Sequence, residues 1–409
     1  MNAVPSRLWD PDLPAVEVLL GPDARGPIDA VLASGGHALG GFRMRQVTWW
    51  QGRSITVLYE AATDTGDALP QIVACAGSIP QGATVVEADG TRIGLWAMPH
   101  DPRLPGLASI LDARTLQPML AGLGVSTGRM AVRLRAYRPG RRAVVQVDTD
   151  RTRLFVKLGR PGAIRHLHDT HLAMNRVLPV PRSLGFDPEL GILVMPSGRG
   201  ATLRETIDGS GALPGAEALD SLIARVPAPV GEGETRSPIR RLGSLTEVLA
   251  RIVPDQAGRL EDLVGRIGDE GDGPSVPAHG DFHDGQLLIE DGAITGLLDV
   301  DTHGLGHPAD DPATMLGHLR SRQSHAPQPE RLAGYADELA RRWSSRVDPD
   351  ELARRTAAVM LGLATGPFRV QQGDWPHRVR ERVARAEAAL ADENPLIAVS
   401  GPSHGRPAH

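Results

Sequence analysis

The first part of the chain shows short stretches in which apolar and polar residues alternate, which is the pattern of β-strands. Residues 45–61 predict two strands around a turn at Gln51–Gly52. Residues 84–98 predict a second hairpin, and Asp89–Gly90 is a sequence typical of its turn. This pattern indicates a separate β-rich unit over residues 1–120.

The strand pattern returns after residue 130. A hairpin is predicted around Pro139–Gly140, with one strand in AVRLRAYR before this pair and a second in RRAVVQVD after it. Further elements are expected as a helix over 109–123, a strand at RLFVKL (153–158), a helix at about 162–177 and a strand over 191–195.

From about residue 199 the apolar spacing changes to a helical period. The predicted helices cover 200–207, 215–226, 243–253, 256–267, 311–322, 328–345, 349–364 and 376–391. Two short strands, 286–290 and 293–300, interrupt them around a turn at Asp291–Gly292. A chain with strands first and helices afterwards belongs to the α+β class.

Composition restricts the kind of partner. The chain has 409 residues and a net charge of −5, which argues against a general nucleic-acid or membrane-surface binder. Its single cysteine, Cys75, allows no disulfide framework and is expected in the core. We find no signal peptide and no apolar run of membrane-spanning length, and therefore expect a soluble cytoplasmic protein.

One lysine stands out by its rarity. Lysines and arginines together number 44, and Lys157, at the end of a predicted strand, is the only lysine. It could be a stray residue in a chain that prefers arginine. A compact ammonium group, however, fits a narrow site where the planar guanidinium does not, such as a phosphate contact. The second interpretation predicts a phosphate-handling motif elsewhere in the chain.

The densest group of chemically active residues lies at 277–313. Asp281 precedes the predicted hairpin of this segment, Gln286 stands at its start and Asp299 at its far end. Two carboxylates and an amide that converge on one point form an oxygen site suited to Mg²⁺. A magnesium site together with a distant lysine predicts phosphoryl transfer.

These residues resemble a known family. The segments His279–Asp281, Gln286, Leu298–Asp299 and Gly306–Ala313 are similar to the motifs of the aminoglycoside phosphotransferase/choline kinase-like family, whose members are relatives of the protein kinases. The resemblance covers roughly residues 130–390. With Gln286 in place of the family's asparagine and an additional N-terminal unit, the chain looks most like the maltokinase and actinobacterial amino-sugar kinase branch.

The resemblance implies a protein-kinase-like two-lobe fold with an N-terminal β-rich cap. The expected division is a cap domain over 1–120, a small lobe over 121–197, a helical large lobe with the catalytic loop over 198–395, and a disordered tail over 396–409. It also implies ATP and Mg²⁺ as cofactors.

Roles for individual residues follow from the same resemblance. Asp281 would orient or deprotonate the acceptor hydroxyl, Gln286 and Asp299 would hold Mg²⁺, and Lys157 would contact the α- and β-phosphates of ATP. The remaining implied roles belong to residues that shape the site. Gly140 would lie over the phosphates, Met195 and Ser197 would meet the adenine, and His279 and Asp311 would brace the catalytic loop.

The sequence departs from the family in ways that leave alternatives open. No glutamate follows Lys157 in the next helix, so either Asp169 pairs with it or Asp299 and the nucleotide position it. Gln286 could ligate the metal or only hydrogen-bond the loop. Asp301 could be a further metal ligand or a loop residue.

The acceptor site is less defined. His283 and Asp284 are turn residues that an acceptor could touch. Trp375 could stack on a sugar ring and Asp374 could bind hydroxyls or an amine, although a buried tryptophan after an aspartate N-cap is an equally good interpretation.

The expected activity is transfer of the γ-phosphoryl group of ATP to a hydroxyl of a small sugar or amino sugar. The alternatives are an aminoglycoside O-phosphotransferase and a nucleotide-binding regulator without catalysis.

Overall fold

The structure is a computed structural model. It describes residues 8–390 except Glu232, Glu234, Arg236 and Asp272. The expected disordered tail at 396–409 lies outside the described residues.

The N-terminal part is built on an antiparallel sheet of order β1-β2-β3-β5-β4. Its elements are α1 (Ala15–Leu20), α2 (Arg25–Ser34), β1 (Gly41–Trp50), β2 (Ser54–Ala62), β3 (Ile72–Ala76), β4 (Thr84–Ala88) and β5 (Thr91–Ala97). Both predicted hairpins are present. The sequence pattern did not predict the two helices or the central strand β3.

The link to the second sheet differs from the expected single helix over 109–123. Two helices, α3 (Leu107–Leu111) and α4 (Ala113–Gly122), meet at Asp112. Asp112 has an extended backbone, and its side chain accepts a hydrogen bond of 3.0 Å from the backbone N of Arg114. This carboxylate caps α4, so the prediction of one continuous helix was wrong.

The second sheet is also antiparallel, in the order β6-β7-β8-β10-β9. Its strands and its one helix are β6 (Met130–Arg138), β7 (Arg142–Thr149), β8 (Arg153–Leu158), α5 (Pro161–Asn175), β9 (Gly185–Asp187) and β10 (Ile192–Pro196). The turn between β6 and β7 contains Pro139–Gly140, as predicted.

The remaining part is mainly helical. Its elements are β11 (Ala201–Thr202), α6 (Leu203–Asp208), α7 (Ala216–Ile223), α8 (Leu242–Ile252), α9 (Ala257–Ile267), β12 (Val276–Ala278), β13 (Leu287–Glu290), β14 (Ala293–Leu297), β15 (Gly304–Gly306), α10 (Asp310–Arg322), α11 (Pro329–Ser344), α12 (Pro349–Ala364), α13 (Gly366–Arg369) and α14 (Trp375–Ala388). The α+β class is therefore confirmed.

One hydrophobic core joins the N-terminal sheet to the C-terminal helices. Val57 of β2, Ile93 of β5, Leu249 of α8, Leu361 of α12 and Val379 of α14 are all buried in it. The second sheet packs on α3 and α4 in a core of its own. In the described part of the chain, none of the helices has both the length and the apolar character needed to span a membrane.

Candidate active site

The single lysine points from the second sheet to two carboxylates of the segment 277–313. Lys157 lies in β8, and its side chain is 10% exposed. Its Nζ atom donates a hydrogen bond of 2.7 Å to Oδ1 of Asp299 and a further one to Oδ1 of Asp301. Of the two partners that the sequence left open, Asp169 and Asp299, the structure pairs Lys157 with Asp299.

Two arginines lie on the same face of the sheet as this lysine. Lys157 pairs across the sheet with Val144, and Arg142 is two residues earlier in β7, so both side chains point to one face. Nη1 of Arg142 lies 3.2 Å from Oδ2 of Asp299. Arg138 is the cross-strand partner of Arg142. Burial and the charges of Arg142 and Arg369 lower the pKa of Arg138 to about 10.

Asp299 lies beyond the strand that was expected to carry it. Strand β14 ends at Leu297, so the prediction of a strand to Val300 was wrong. Asp299 instead has a positive φ of 57°, which is uncommon for any residue other than glycine. A short 3-10 turn at Val300–Thr302 follows, and Asp301 also reaches Lys157. The change of direction therefore brings both carboxylates to one place.

Electrostatics keep Asp299 ionised. Burial would raise the pKa of its carboxyl group, but the nearby charges of Lys157 and Arg142 outweigh burial and hold the pKa below the usual range. This group is available as an anionic ligand at neutral pH.

Gln286 lies beside Asp299. Nε2 of the Gln286 side chain donates a hydrogen bond of 3.4 Å to Oδ2 of Asp299, and the backbone N of Leu298 donates to the backbone carbonyl oxygen of Gln286 over 2.8 Å. Carboxylate and amide oxygens are the ligands that Mg²⁺ accepts in proteins, so Gln286 and Asp299 fit a divalent cation.

A buried aspartate holds the loop that begins at His279. Oδ2 and Oδ1 of Asp311 accept hydrogen bonds of 2.7 and 2.9 Å from the backbone N atoms of His279 and Gly280. The His279 ring reaches the carbonyl oxygen of Leu298 over 2.9 Å, which ties the loop to the segment before Asp299. Burial raises the pKa of Asp311. The side chain of Asp281, two residues after His279, is 39% exposed and is therefore accessible to solvent.

Asp284 is not accessible to solvent. Its side chain is fully buried, and its carboxylate accepts hydrogen bonds of 2.8 Å from Arg204 and 2.8 Å from Arg322. Burial would raise the pKa of Asp284, but His283 and the two arginines hold it far below the usual range. The structure therefore places this candidate acceptor residue in an internal ion-pair network.

His283 stacks on His318. The two rings are 4.1 Å apart and 5° from parallel. Asp281, His283 and His318 lie close enough together to suggest a metal site. The lone pairs of stacked rings, however, point along parallel planes and do not converge on one ion, so this geometry does not favour a transition-metal site.

The turn at Gly140 is held by the N-terminal part of the chain. The backbone N of Gly140 donates a hydrogen bond of 2.7 Å to Oδ2 of Asp101. Gly140 has a φ of 65°, and an added Cβ would lie 3.3 Å from Cδ of Arg103. The sequence interpretation missed Asp101 and Arg103, because nothing in the local pattern before residue 107 marks a contact with a distant turn.

The candidate adenine contacts lie at the end of β10. Met195 pairs with Phe155 in the sheet, and the backbone N of Ser197 donates to the carbonyl oxygen of Arg153 over 3.0 Å. These positions continue the sheet that carries Lys157.

Asp374 and Trp375 lie at the start of α14. Trp375 packs edge-on against Phe368 at 5.0 Å, and Phe368 lies 6.5 Å from Trp49 of β1. This tryptophan thus contributes to the core beneath the N-terminal sheet. Asp374 has a φ of 54°, and no capping hydrogen bond from its side chain occurs among the described residues.

Comparison with known proteins shows that the central part of the chain matches a protein family. The family described as "Phosphotransferase enzyme family" matches residues 133–345, a little over half of the 409 residues. The matched segment contains Lys157, Asp281 and Asp299. No curated protein matches the chain at a significant level.

Several solved structures resemble the fold at low identity. One is the aminoglycoside phosphotransferase APH(4)-Ia with AMP-PNP and hygromycin B: 13% identity, TM-score 0.44, 68% of this chain and 98% of that chain covered. A choline/ethanolamine kinase family protein from Mesorhizobium loti has 16% identity and a TM-score of 0.45; the match covers 68% of this chain and 92% of that chain. The macrolide 2′-phosphotransferase MphH from Brachybacterium faecium has 22% identity and a TM-score of 0.39; the match covers 68% of this chain and 98% of that chain.

Proposed function

The chain belongs to the phosphotransferase enzyme family, and from its site we propose that it transfers the γ-phosphoryl group of ATP to a hydroxyl of a small sugar or amino sugar. The observation that supports this most strongly is the ion pair of Lys157 with Asp299, two residues 142 positions apart in the chain. Phosphoryl transfer depends mainly on positioning and charge stabilisation, and this contact brings the required charges together.

The chain's own residues supply most of the proposed mechanism. Asp281, which is accessible to solvent, orients the acceptor hydroxyl and accepts its proton. Lys157 and Arg142 present positive charge from the sheet to the phosphates. Gln286 and Asp299 would hold Mg²⁺, which when bound would neutralise phosphate charge.

The nucleotide contacts are part of the same proposal. Met195 and Ser197 would meet the adenine at the end of β10. The turn at Gly140 would cover the phosphates with groups other than its own backbone N–H, since that N–H already donates to Asp101.

The charges near the catalytic loop support a small acceptor with few positive charges. A polycationic aminoglycoside needs several free carboxylates in its site, because its ammonium groups are attracted by negative charges and repelled by positive ones. Asp284 is neutralised by two arginines, and Arg138 and Arg369 lie close enough to repel each other. Phosphorylation of a sugar or amino sugar is therefore favoured over that of an aminoglycoside.

The finer relationship and the domain division also belong to the proposal. Gln286 and the N-terminal sheet support a likeness to maltokinases and amino-sugar kinases. We assign residues 1–120 to a cap, 121–197 to the small lobe and 198–395 to the large lobe.

The test is ADP production from ATP with Mg²⁺, measured against sugars, amino sugars, disaccharides, aminoglycosides and amino alcohols. We expect turnover with a sugar or amino sugar, and none with Asp281→Asn. Turnover only with aminoglycosides would replace the acceptor assignment. Binding of Mg-ATP without consumption, with every acceptor, would instead identify a regulator and contradict the proposal.

A further inference from the structure

One face of the second sheet carries successive rows of residues that pair across its strands. In the first row, Met195 of β10 pairs with Phe155 of β8. In the second row, two residues further along β8, Lys157 pairs with Val144 of β7. Side chains two residues apart in a strand point to the same face, and their positions are about 7 Å apart along the strand. The row of Lys157 is therefore the direct neighbour of the row of Met195.

A pair of arginines forms the third row. Arg142 comes two residues before Val144 in β7, on the side away from the row of Met195, and Arg138 of β6 is its cross-strand partner. Like charges directly opposite each other on neighbouring strands are unfavourable. This row thus concentrates positive charge beside the turn that contains Gly140.

The two arginines of this row differ in their partners. Nη1 of Arg142 lies 3.2 Å from Oδ2 of Asp299 and 3.5 Å from Oδ2 of Asp301. Arg138 is half-buried, and among the described residues its guanidinium group makes no hydrogen bond or ion pair. Removing a charge from water without a partner costs free energy. The guanidinium group of Arg138 is therefore available to an anion from outside the chain.

A further arginine adds positive charge from the helical part of the chain. Burial and the charges of Arg142 and Arg369 lower the pKa of Arg138 to about 10, and the opposite charge of Asp299 does not compensate for them. Arg369 of α13 is half-buried as well, and its guanidinium group has no hydrogen-bond or ion-pair partner in the part of the chain that the structure describes. Two arginines from distant parts of the chain thus share an excess of positive charge.

We propose that Arg138 binds the terminal phosphate of ATP. The inference rests on the proposed function, which puts the adenine at Met195 and the phosphates at Lys157. The nucleotide then runs from the first row to the second, and its last phosphate reaches the third row, that of Arg138 and Arg142. The planar guanidinium group offers several N–H donors at once and suits the oxygens of a phosphate.

A residue that binds only the terminal phosphate distinguishes ATP from ADP, which lacks that phosphate. Arg138→Met keeps a long side chain and removes the charge and the donors. We expect this variant to bind AMP-PNP, a non-hydrolysable analogue of ATP, about tenfold or more weakly, the effect of losing a hydrogen bond between charged groups. Its affinity for ADP should be nearly unchanged.

The readout is isothermal titration calorimetry of the full-length protein with each nucleotide and Mg²⁺, which requires no turnover. Arg135→Met is the matched control, because Arg135 lies in the same strand and is exposed. This control should bind both nucleotides as the unmodified protein does. Arg138→Lys keeps the charge without the planar group, and its loss of AMP-PNP affinity should be smaller than that of Arg138→Met.

Thermal unfolding without nucleotide separates binding from folding. If Arg138 only stabilised the hairpin, Arg138→Met would lower the unfolding temperature and would weaken both nucleotides alike. Because the substitution relieves the repulsion by Arg142, we expect an unfolding temperature that is unchanged or higher.

The inference is overturned if Arg138→Met binds AMP-PNP normally, or if it loses affinity for ADP and AMP-PNP equally. Lys157→Met separates this result from failure of the proposed function, since it should weaken both nucleotides. If the unmodified protein binds neither nucleotide, or if Lys157→Met binds both normally, the nucleotide site itself is misassigned. If Lys157→Met weakens both while Arg138→Met binds AMP-PNP normally, only the role of Arg138 is wrong.

Discussion

At the scale of single residues, Asp284 is the carboxylate of residues 277–313 that two arginines bind. It is fully buried between Arg204 and Arg322. Asp284→Asn would remove this carboxylate from Arg204 and leave Arg322 with Asp208 alone, and removing one partner of a buried pair destabilises a protein strongly. We expect the free energy of unfolding in urea to fall by about 3 kcal/mol.

Asp281→Asn is the matched control for Asp284→Asn, since its side chain is 39% exposed and should cost little stability while abolishing turnover. An Asp284→Asn variant with unchanged stability and a raised KM for the acceptor would contradict the structural role of Asp284.

The stability of the protein in acid should depend on the same residue. The pKa of Asp284 is lower in the folded protein than in the unfolded chain, so its contribution is complete above about pH 4 and is lost as pH falls below that. We expect the free energy of unfolding of Asp284→Asn to change less than that of the unmodified protein between about pH 4 and 2. Equal pH dependence of the two proteins would contradict this assignment.

The sequence predicted the position of some site residues but not of others. The rarity of Lys157 and the spacing of Asp281 and Asp299 were enough to expect them in one site, and the structure brings Lys157 and Asp299 into contact. Arg142 was not predicted, because one arginine among many carries no local signal. Its reach to Asp299 depends on how the sheet and the helical part pack.

At the scale of elements, the turn between β6 and β7 is held by one aspartate from the N-terminal part. Asp101 is 3% exposed and accepts hydrogen bonds from Gly140 N at 2.7 Å and Tyr137 Oη at 2.8 Å. We expect Asp101→Ala to loosen this turn and to raise the KM for ATP about tenfold, the effect of losing about 1.4 kcal/mol of binding free energy.

The corresponding measurement is steady-state kinetics with varied ATP. The acceptor KM should change little, because the turn is on the nucleotide side of the proposed site. An unchanged KM for ATP would show that the turn does not contact the nucleotide.

Element boundaries show where the periodic pattern stops being informative. Alternation predicted the hairpin before Asp299 but extended β14 to Val300, because the pattern does not reveal that Asp299 takes a left-handed conformation. Likewise, the break between α3 and α4 depends on one side-chain hydrogen bond of Asp112. Such local hydrogen bonds compete with regular structure at single positions.

At the scale of the whole molecule, the core of the N-terminal sheet continues into α8, α12 and α14. The sequence predicted strands followed by helices but not this packing, because residues such as Val57 and Val379 are far apart in the chain. A shared core predicts that both parts unfold together.

Cys75 provides a probe of this coupling. It lies in β3 and is 2% exposed, and burial raises its pKa to about 11, so its thiol should react slowly with iodoacetamide in the folded protein. With increasing urea, we expect labelling of Cys75 and loss of ADP binding to share one midpoint. Labelling at lower urea, with ADP binding retained, would show that the N-terminal part unfolds independently.

Ionisation of the same thiol should lower the stability of the protein as pH rises. Its pKa in the unfolded chain is about 8.5, below the value of about 11 in the fold. The unfolded chain therefore loses the proton first, and the free energy of unfolding should fall between these two pH values. Cys75→Ser, measured in the same way, should remove this part of the pH dependence; an unchanged profile would contradict it.

The most direct test of the central claim is detection of the phosphorylated acceptor itself. Unmodified protein and Asp281→Asn are incubated with Mg-ATP and a sugar or amino sugar, and ADP and the sugar phosphate ester are quantified together. The account predicts equal amounts of ADP and ester with the unmodified protein, and neither with Asp281→Asn, although both proteins bind Mg-ADP. ADP without any ester, or equal activity of the two proteins, would contradict it.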